Sequence, residues 1–85
     1  MQSVGQSAVG RTAGAEHSLQ TFSLQVERKH FTFDLRENPR GRFLRITEEV
    51  NGRYDSIIIP ITGLEQFRDV LNEIVKVAQA NPPKS

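Results

Sequence analysis

Between Phe22 and Ile61 apolar and polar residues alternate with a period of two. Phe22, Leu24 and Val26 interleave with Ser23, Gln25 and Glu27; after a short reversal at Arg28-Lys29, Phe31, Phe33 and Leu35 interleave with His30, Thr32, Asp34 and Arg36. This is the pattern of strands that bury one face. Asn38-Pro39-Arg40-Gly41 reads as a turn, and beyond it Leu44 and Ile46 alternate with Phe43, Arg45 and Thr47 toward Val50. Asn51-Gly52 is a strong hairpin signal because both residues tolerate positive φ. Tyr54–Ile61 is then a fourth strand, in which Ile57-Ile58-Ile59 points to burial on both faces or to pairing with a partner chain. From Leu64 the period lengthens: Leu64, Phe67, Val70, Leu71, Ile74, Val75 and Ala78 form the stripe of an amphipathic helix. Thr62 with Glu65 three residues on predicts a capping box, and Asn81-Pro82-Pro83 ends the helix near Ala80. The order predicts an α+β fold, a four-stranded antiparallel sheet followed by one C-terminal helix.

The alternation also predicts facing. Phe22, Leu24, Val26, Phe31, Phe33, Leu35, Leu44 and Ile46 are expected to point toward the helix. Gln25, Thr32, Asp34, Arg36, Phe43, Arg45 and Thr47 belong to the opposite face. Phe43 is anomalous there: a large aromatic residue on a polar face serves as a stacking platform or as part of an interface core.

The flanks read differently. Residues 1–18 carry Gly5, Gly10 and Gly14 among Ser, Thr, Ala and Gln without an aromatic residue, and are expected to be a disordered tail. Residues 81–85 are expected to be a second short tail, leaving a domain over 19–80. A unit of roughly 60 residues has a marginal core. The chain has no cysteine and two widely separated histidines, so neither disulfides nor a metal cluster is expected to supplement it. Self-association is the remaining route, which predicts a homodimer. No apolar run is long enough for a membrane span, and the N-terminus lacks a secretory h-region. An intracellular location is expected, nuclear or cytoplasmic, with an organelle left open by a Ser- and Ala-rich start carrying Arg11.

The net charge is only +1, but it is unevenly placed. Arg28, Lys29, Arg36, Arg40, Arg42 and Arg45 face only Asp34 and Glu37 between positions 28 and 45, while the helical region is slightly acidic. A solvated polar face is the ordinary reading of such a run. Here eight of the eleven basic residues are arginine, whose guanidinium pairs bidentately with phosphate and stacks on flat rings. Together with Phe43 beside a tight turn, this points to a nucleic-acid surface.

The stretch Lys29–Glu48, KHFTFDLRENPRGRFLRITE, followed by Ser56–Ile61, Phe67 and Leu71, resembles a PUR repeat of the Pur-alpha family, purine-rich single-stranded DNA and RNA binding proteins. The resemblance spans roughly residues 21–79. It implies four strands and a helix in a whirly-like arrangement, with two repeats intertwining through the helix and fourth strand to make one globular domain. Having one repeat, the chain resembles the single-repeat members that homodimerise. The resemblance further implies that Asn38 and Arg40 hydrogen-bond base edges or backbone and that Phe43 stacks on a base, with Arg36, Arg45, Lys29 and Arg42 as lesser contacts. Arg42 shares its parity with Leu44, so an ion pair with Glu37, Glu48 or Glu49 is an equal expectation.

The function expected is non-enzymatic binding of single-stranded DNA or RNA with a purine-rich, G-rich preference, without cofactor or metal, in transcription regulation. The alternative is a dimerisation or scaffold module in a ribonucleoprotein whose arginine hairpin docks an acidic protein. An enzyme built on His30, Asp34 and Ser56 finds no support in any nucleophile elbow, glycine loop or metal set.

Overall fold

Three tight turns fold the alternating segments into a meander. The structure, a computed structural model, describes residues 15–81 and 83. Strands β1 (His17–Val26), β2 (Lys29–Asn38), β3 (Gly41–Val50) and β4 (Arg53–Pro60) form one antiparallel sheet in the order β1-β2-β3-β4. A 3-10 turn at Ile61–Gly63 leads into helix α1 (Leu64–Ala80). The fold class is the one the pattern predicts. The β1 strand begins at His17, so His17 and Ser18, expected in the N-terminal tail, pair with Glu37 and Arg36 in the sheet. Positions 1–14 of that expected tail lie outside the described residues.

The turns set the register. Asn51 (φ 53°) and Gly52 (φ 81°) are both left-handed, the twist a two-residue hairpin needs. In the β2–β3 loop Pro39 fixes its own φ near −65° and so excludes a primed turn; Gly41, at φ 137°, takes up the backbone angle that a side chain would oppose. The resulting pairs are Phe22↔Phe33, Phe33↔Ile46 and Ile46↔Ile57 on one face, and Thr21↔Asp34, Asp34↔Arg45 and Arg45↔Ile58 on the other. The predicted segregation into apolar and polar faces therefore holds through the middle of β1–β3, whereas Ile58 of β4 lies on the polar face and Glu48 and Asp55 lie on the apolar face in line with Phe31. A register shift between Ser18 and Gln20, a β-bulge, re-aims the start of β1.

The helix departs from expectation in two ways. Gly63, not Thr62, occupies its N-cap, and no side chain caps it, because Thr62 is taken up in the 3-10 turn. Nor does it cover the apolar face. Only its first turns approach the sheet, where Leu64, Phe67 and Leu71 border a cavity with Phe33, Leu44 and Ile46. Farther along, Val70, Ile74 and Val77 remain 56–61% exposed. At the C-terminal end Asn81 donates from both its backbone N–H and its Nδ2 to the Val77 carbonyl, at 3.0 and 2.9 Å.

A buried core is nearly absent from the isolated chain. Ile59, 8% exposed, is the one buried apolar residue among the described residues, and none of them has a fully buried side chain. Its neighbours in the isoleucine run, Ile57 and Ile58, are 55% and 57% exposed. Phe22 and Leu24 on β1 are likewise uncovered, so the sheet and the helix each present an unpartnered apolar surface.

Candidate nucleic-acid interface

The predicted contact residues gather where the β2–β3 hairpin meets the end of β4. Asn38 closes the hairpin opposite Gly41, and its Oδ1 accepts the Arg40 backbone N–H at 2.9 Å. This bond fixes the turn and carries Arg40 at its exposed tip. The next polar-face position is Phe43, which pairs with Arg36 on one side and Pro60 on the other. The ring is half-buried on that face rather than fully open. Two residues on, Arg45 lies between Asp34 and Ile58. An open groove of about 420 Å³ is bordered by Asn38, Arg40, Arg42, Phe43 and Arg45, together with Ile58 and Pro60.

The charges here are unequally compensated. Arg36 donates from Nη1 to Asp34 at 2.6 Å and from Nε to Glu16 at 2.5 Å, and Arg45 donates from Nη2 to the same Glu16 oxygen at 3.4 Å. Arg42 donates at 2.8 Å to Glu37, one of the three acids for which an ion pair is as much expected as nucleic-acid contact. Arg40 has no carboxylate partner among the described residues and is exposed. The Asp34 carboxyl is held below its ordinary value, first by the Ser18 hydroxyl and then by the Arg36 guanidinium. Arg36 is raised in turn, chiefly by its bond to Asp34 and then by Glu16. Hydrogen bonds from Ser18 and Thr21 to Asp34 lock this carboxylate into the sheet at its β1 side.

Lys29 is the predicted contact that the structure does not bring to this groove. It begins β2 at the other end of the sheet, on the parity of Phe31 and Phe33, and pairs with Glu48 at 2.8 Å. That hydrogen bond raises its pKa. Arg36 sits beside the groove, under Glu16, rather than on its border.

Residue-by-residue reading missed Glu16, Ile58 and Pro60. The last two were accessible: counting back equally on both sides of Asn51-Gly52 places Pro60 opposite Phe43 and Ile58 opposite Arg45. Glu16 carried no signal, since the bulge between Ser18 and Gln20 breaks any extrapolation of parity from Phe22.

The sequence is similar to those of several known proteins. Over 62% of its length the chain is 49% identical to transcription factor Pur-alpha 1 of Arabidopsis thaliana, covering 18% of that protein. It is 39% identical, over 64% of its length, to transcriptional activator protein Pur-alpha of Mus musculus, covering 19% of it. It is 28% identical, over 81% of its length, to purine-rich element-binding protein gamma of Homo sapiens, covering 24% of it. The chain thus spans about a fifth to a quarter of these relatives. Residues 2–82 match the family described as PurA ssDNA and RNA-binding protein, and the chain belongs to that family.

Proposed function

We propose that the chain binds single-stranded DNA or RNA in the groove between the β2–β3 hairpin and β4, as a homodimer. The observation that carries this reading is the convergence of Asn38, Arg40, Phe43 and Arg45 on one open groove, with Arg40 exposed at its rim. A base stacked on Phe43 contacts Ile58 and Pro60 with its edge, while Arg40 meets the backbone or a base edge. Asn38 contributes from Nδ2, its Oδ1 being committed to the turn. Arg36 and Arg45 lie one strand position away and serve the flanking phosphates; Arg42 contributes from the groove border, and Lys29 adds only long-range attraction. A purine-rich, G-rich preference is carried over from the relative named for purine-rich elements, and a role in transcription, in nucleus or cytoplasm, from the relatives named as transcription factor and activator.

The homodimer reading is supported by the uncovered helix stripe and sheet face, which a second copy, related by a two-fold axis, covers reciprocally. A symmetric dimer carries two equivalent grooves. The test is titration of labelled G-rich and pyrimidine oligonucleotides, as DNA and as RNA, at several salt concentrations, with molar mass measured in parallel. Tighter binding to the G-rich strands, weakening as salt rises, with a dimeric mass, is the expected result. A dimer that leaves every oligonucleotide free at low salt would refute nucleic-acid binding and favour the acidic-protein docking module.

A further inference from the structure

We infer that Arg36 and Arg45 form a phosphate subsite beside Phe43 that the chain's own Glu16 fills, so that a nucleic-acid backbone must displace this carboxylate to bind fully. The inference rests on the proposed reading of the groove and adds to it an internal competitor.

The geometry is specific. Glu16 immediately precedes β1, two residues before Ser18 and therefore on the same face of that strand. A single oxygen, Oε2, accepts from Arg36 Nε and from Arg45 Nη2. The two arginines are diagonal neighbours, Arg36 being opposite Phe43 and Arg45 opposite Asp34. An anionic oxygen held between two guanidiniums, one of them beside an aromatic ring, is the seat that a phosphate needs when its base stacks on that ring. Glu16 also borders the groove itself, so carboxylate and phosphate compete for one volume as well as for the same donors.

The two acids around Arg36 differ in how firmly they are held. Asp34 lies in mid-strand and accepts from Ser18, Thr21 and Arg36. It stays in place when a ligand arrives and keeps Arg36 aimed across the sheet. Glu16 precedes the first strand, is about one-third exposed, and has only the two arginines as partners among the described side chains. Partly exposed pairs of this kind are weak and salt-sensitive, which suits a contact that is to be exchanged. Until it leaves, Glu16 screens the Arg36–Arg45 pair and so disfavours loose, base-independent adhesion of polyanions there.

The experiment uses the full chain as wild type, Glu16→Gln, Arg45→Gln, the double variant, and Glu27→Gln as a charge-matched control on the β1–β2 turn at the other end of the sheet. Each is titrated by fluorescence anisotropy with one labelled G-rich single-stranded DNA between about 50 and 200 mM salt, after molar mass and circular dichroism show the same assembly. The Glu16→Gln variant is expected to bind roughly three- to tenfold tighter at the lowest salt. Its plot of log affinity against log salt should steepen by about 0.7, one further phosphate neutralised on a single strand. Glu27→Gln should change affinity less than about twofold, and the Glu16→Gln gain should shrink toward that value when Arg45 is glutamine. If wild type binds but Glu16→Gln leaves both affinity and slope unchanged, or gains no more than Glu27→Gln, the subsite proposal alone is overturned. An undiminished gain in the Arg45→Gln background overturns it too. If wild type fails to bind at any salt, the groove reading falls and takes the subsite with it.

Discussion

Ile74→Asp places a carboxylate in the middle of the helix stripe that the isolated chain leaves uncovered, and its effect can be worked from the exposures. Fully burying an isoleucine is worth about 1.5–3 kcal/mol. Ile74 is 56% exposed in the single chain, so a partner that covers it withdraws about half of that, roughly 1–1.5 kcal/mol per copy. Aspartate forfeits this gain and adds the cost of a desolvated polar group without a partner, about 1–3 kcal/mol. Because a two-fold dimer contains the substitution twice, association weakens by about 4 kcal/mol or more, roughly a thousandfold in Kd. With Ile59 the one buried apolar residue among those described, a dissociated chain has little core to hold its fold, so dissociation and unfolding are expected together. Sedimentation equilibrium with thermal circular dichroism at matched concentrations reads both. Wild type should be dimeric, with a melting temperature that rises with concentration, and Ile74→Asp monomeric with a weakened or non-cooperative melt. A control, Ser23→Asp on the polar face opposite Thr32, should remain dimeric. A wild type that is monomeric and melts cooperatively, or an Ile74→Asp chain that stays dimeric, would refute the reasoning.

Other outcomes follow from single sites. Asp34 and Glu37 have carboxyls held low, by the Ser18 hydroxyl and Arg36 for the former and by the Arg42 guanidinium for the latter. The unfolded chain therefore binds more protons than the folded one in acid. Their stabilisation is fully present above the unfolded values, about 4, and is lost as pH falls through the lowered folded values. Urea midpoints should accordingly fall below about pH 4, and Asp34→Asn should reduce that slope. Gly41→Ala should destabilise by about 1–3 kcal/mol in thermal melts, since φ 137° is a region that side chains avoid, and should weaken oligonucleotide binding as well by shifting Arg40 and Phe43. Arg40→Ala removes an exposed cation without a carboxylate partner among the described residues, so binding should weaken and the salt slope flatten by about 0.7 with melting unchanged.

Much of this molecule was legible because strand and helix periods are strong where one face is buried. Phe22, Leu24, Phe31, Phe33, Leu44 and Ile46 gave the apolar face by counting, and Asn51-Gly52 fixed the register of β3 against β4. What alternation could not convey was the whereabouts of the helix. An amphipathic stripe declares that something covers it without saying what, and in the single chain Val70, Ile74 and Val77 find nothing. The helix start was misplaced because Thr62 has the chemistry of a cap but lies in a 3-10 turn. The hairpin with Asn38, Arg40 and Phe43 was readable as a candidate site because turn residues, arginines and an aromatic on a polar face coincide there, and the groove they border is the one proposed for binding. The charge balance was not, because Glu16 reaches Arg36 and Arg45 across a bulge. Lys29 ranks in sequence with Arg36, Arg42 and Arg45 as a lesser contact, but its place in the strand puts it on the apolar side at the far end.

The most direct measurement is the affinity of Phe43→Ala for a G-rich single strand, beside wild type, with molar mass and melting temperature taken on the same samples. Stacking predicts a loss of about 1–3 kcal/mol per base, while mass and fold are retained because the half-buried ring lies on the polar face. A folded, dimeric Phe43→Ala chain that binds the strand as tightly as wild type would contradict the account.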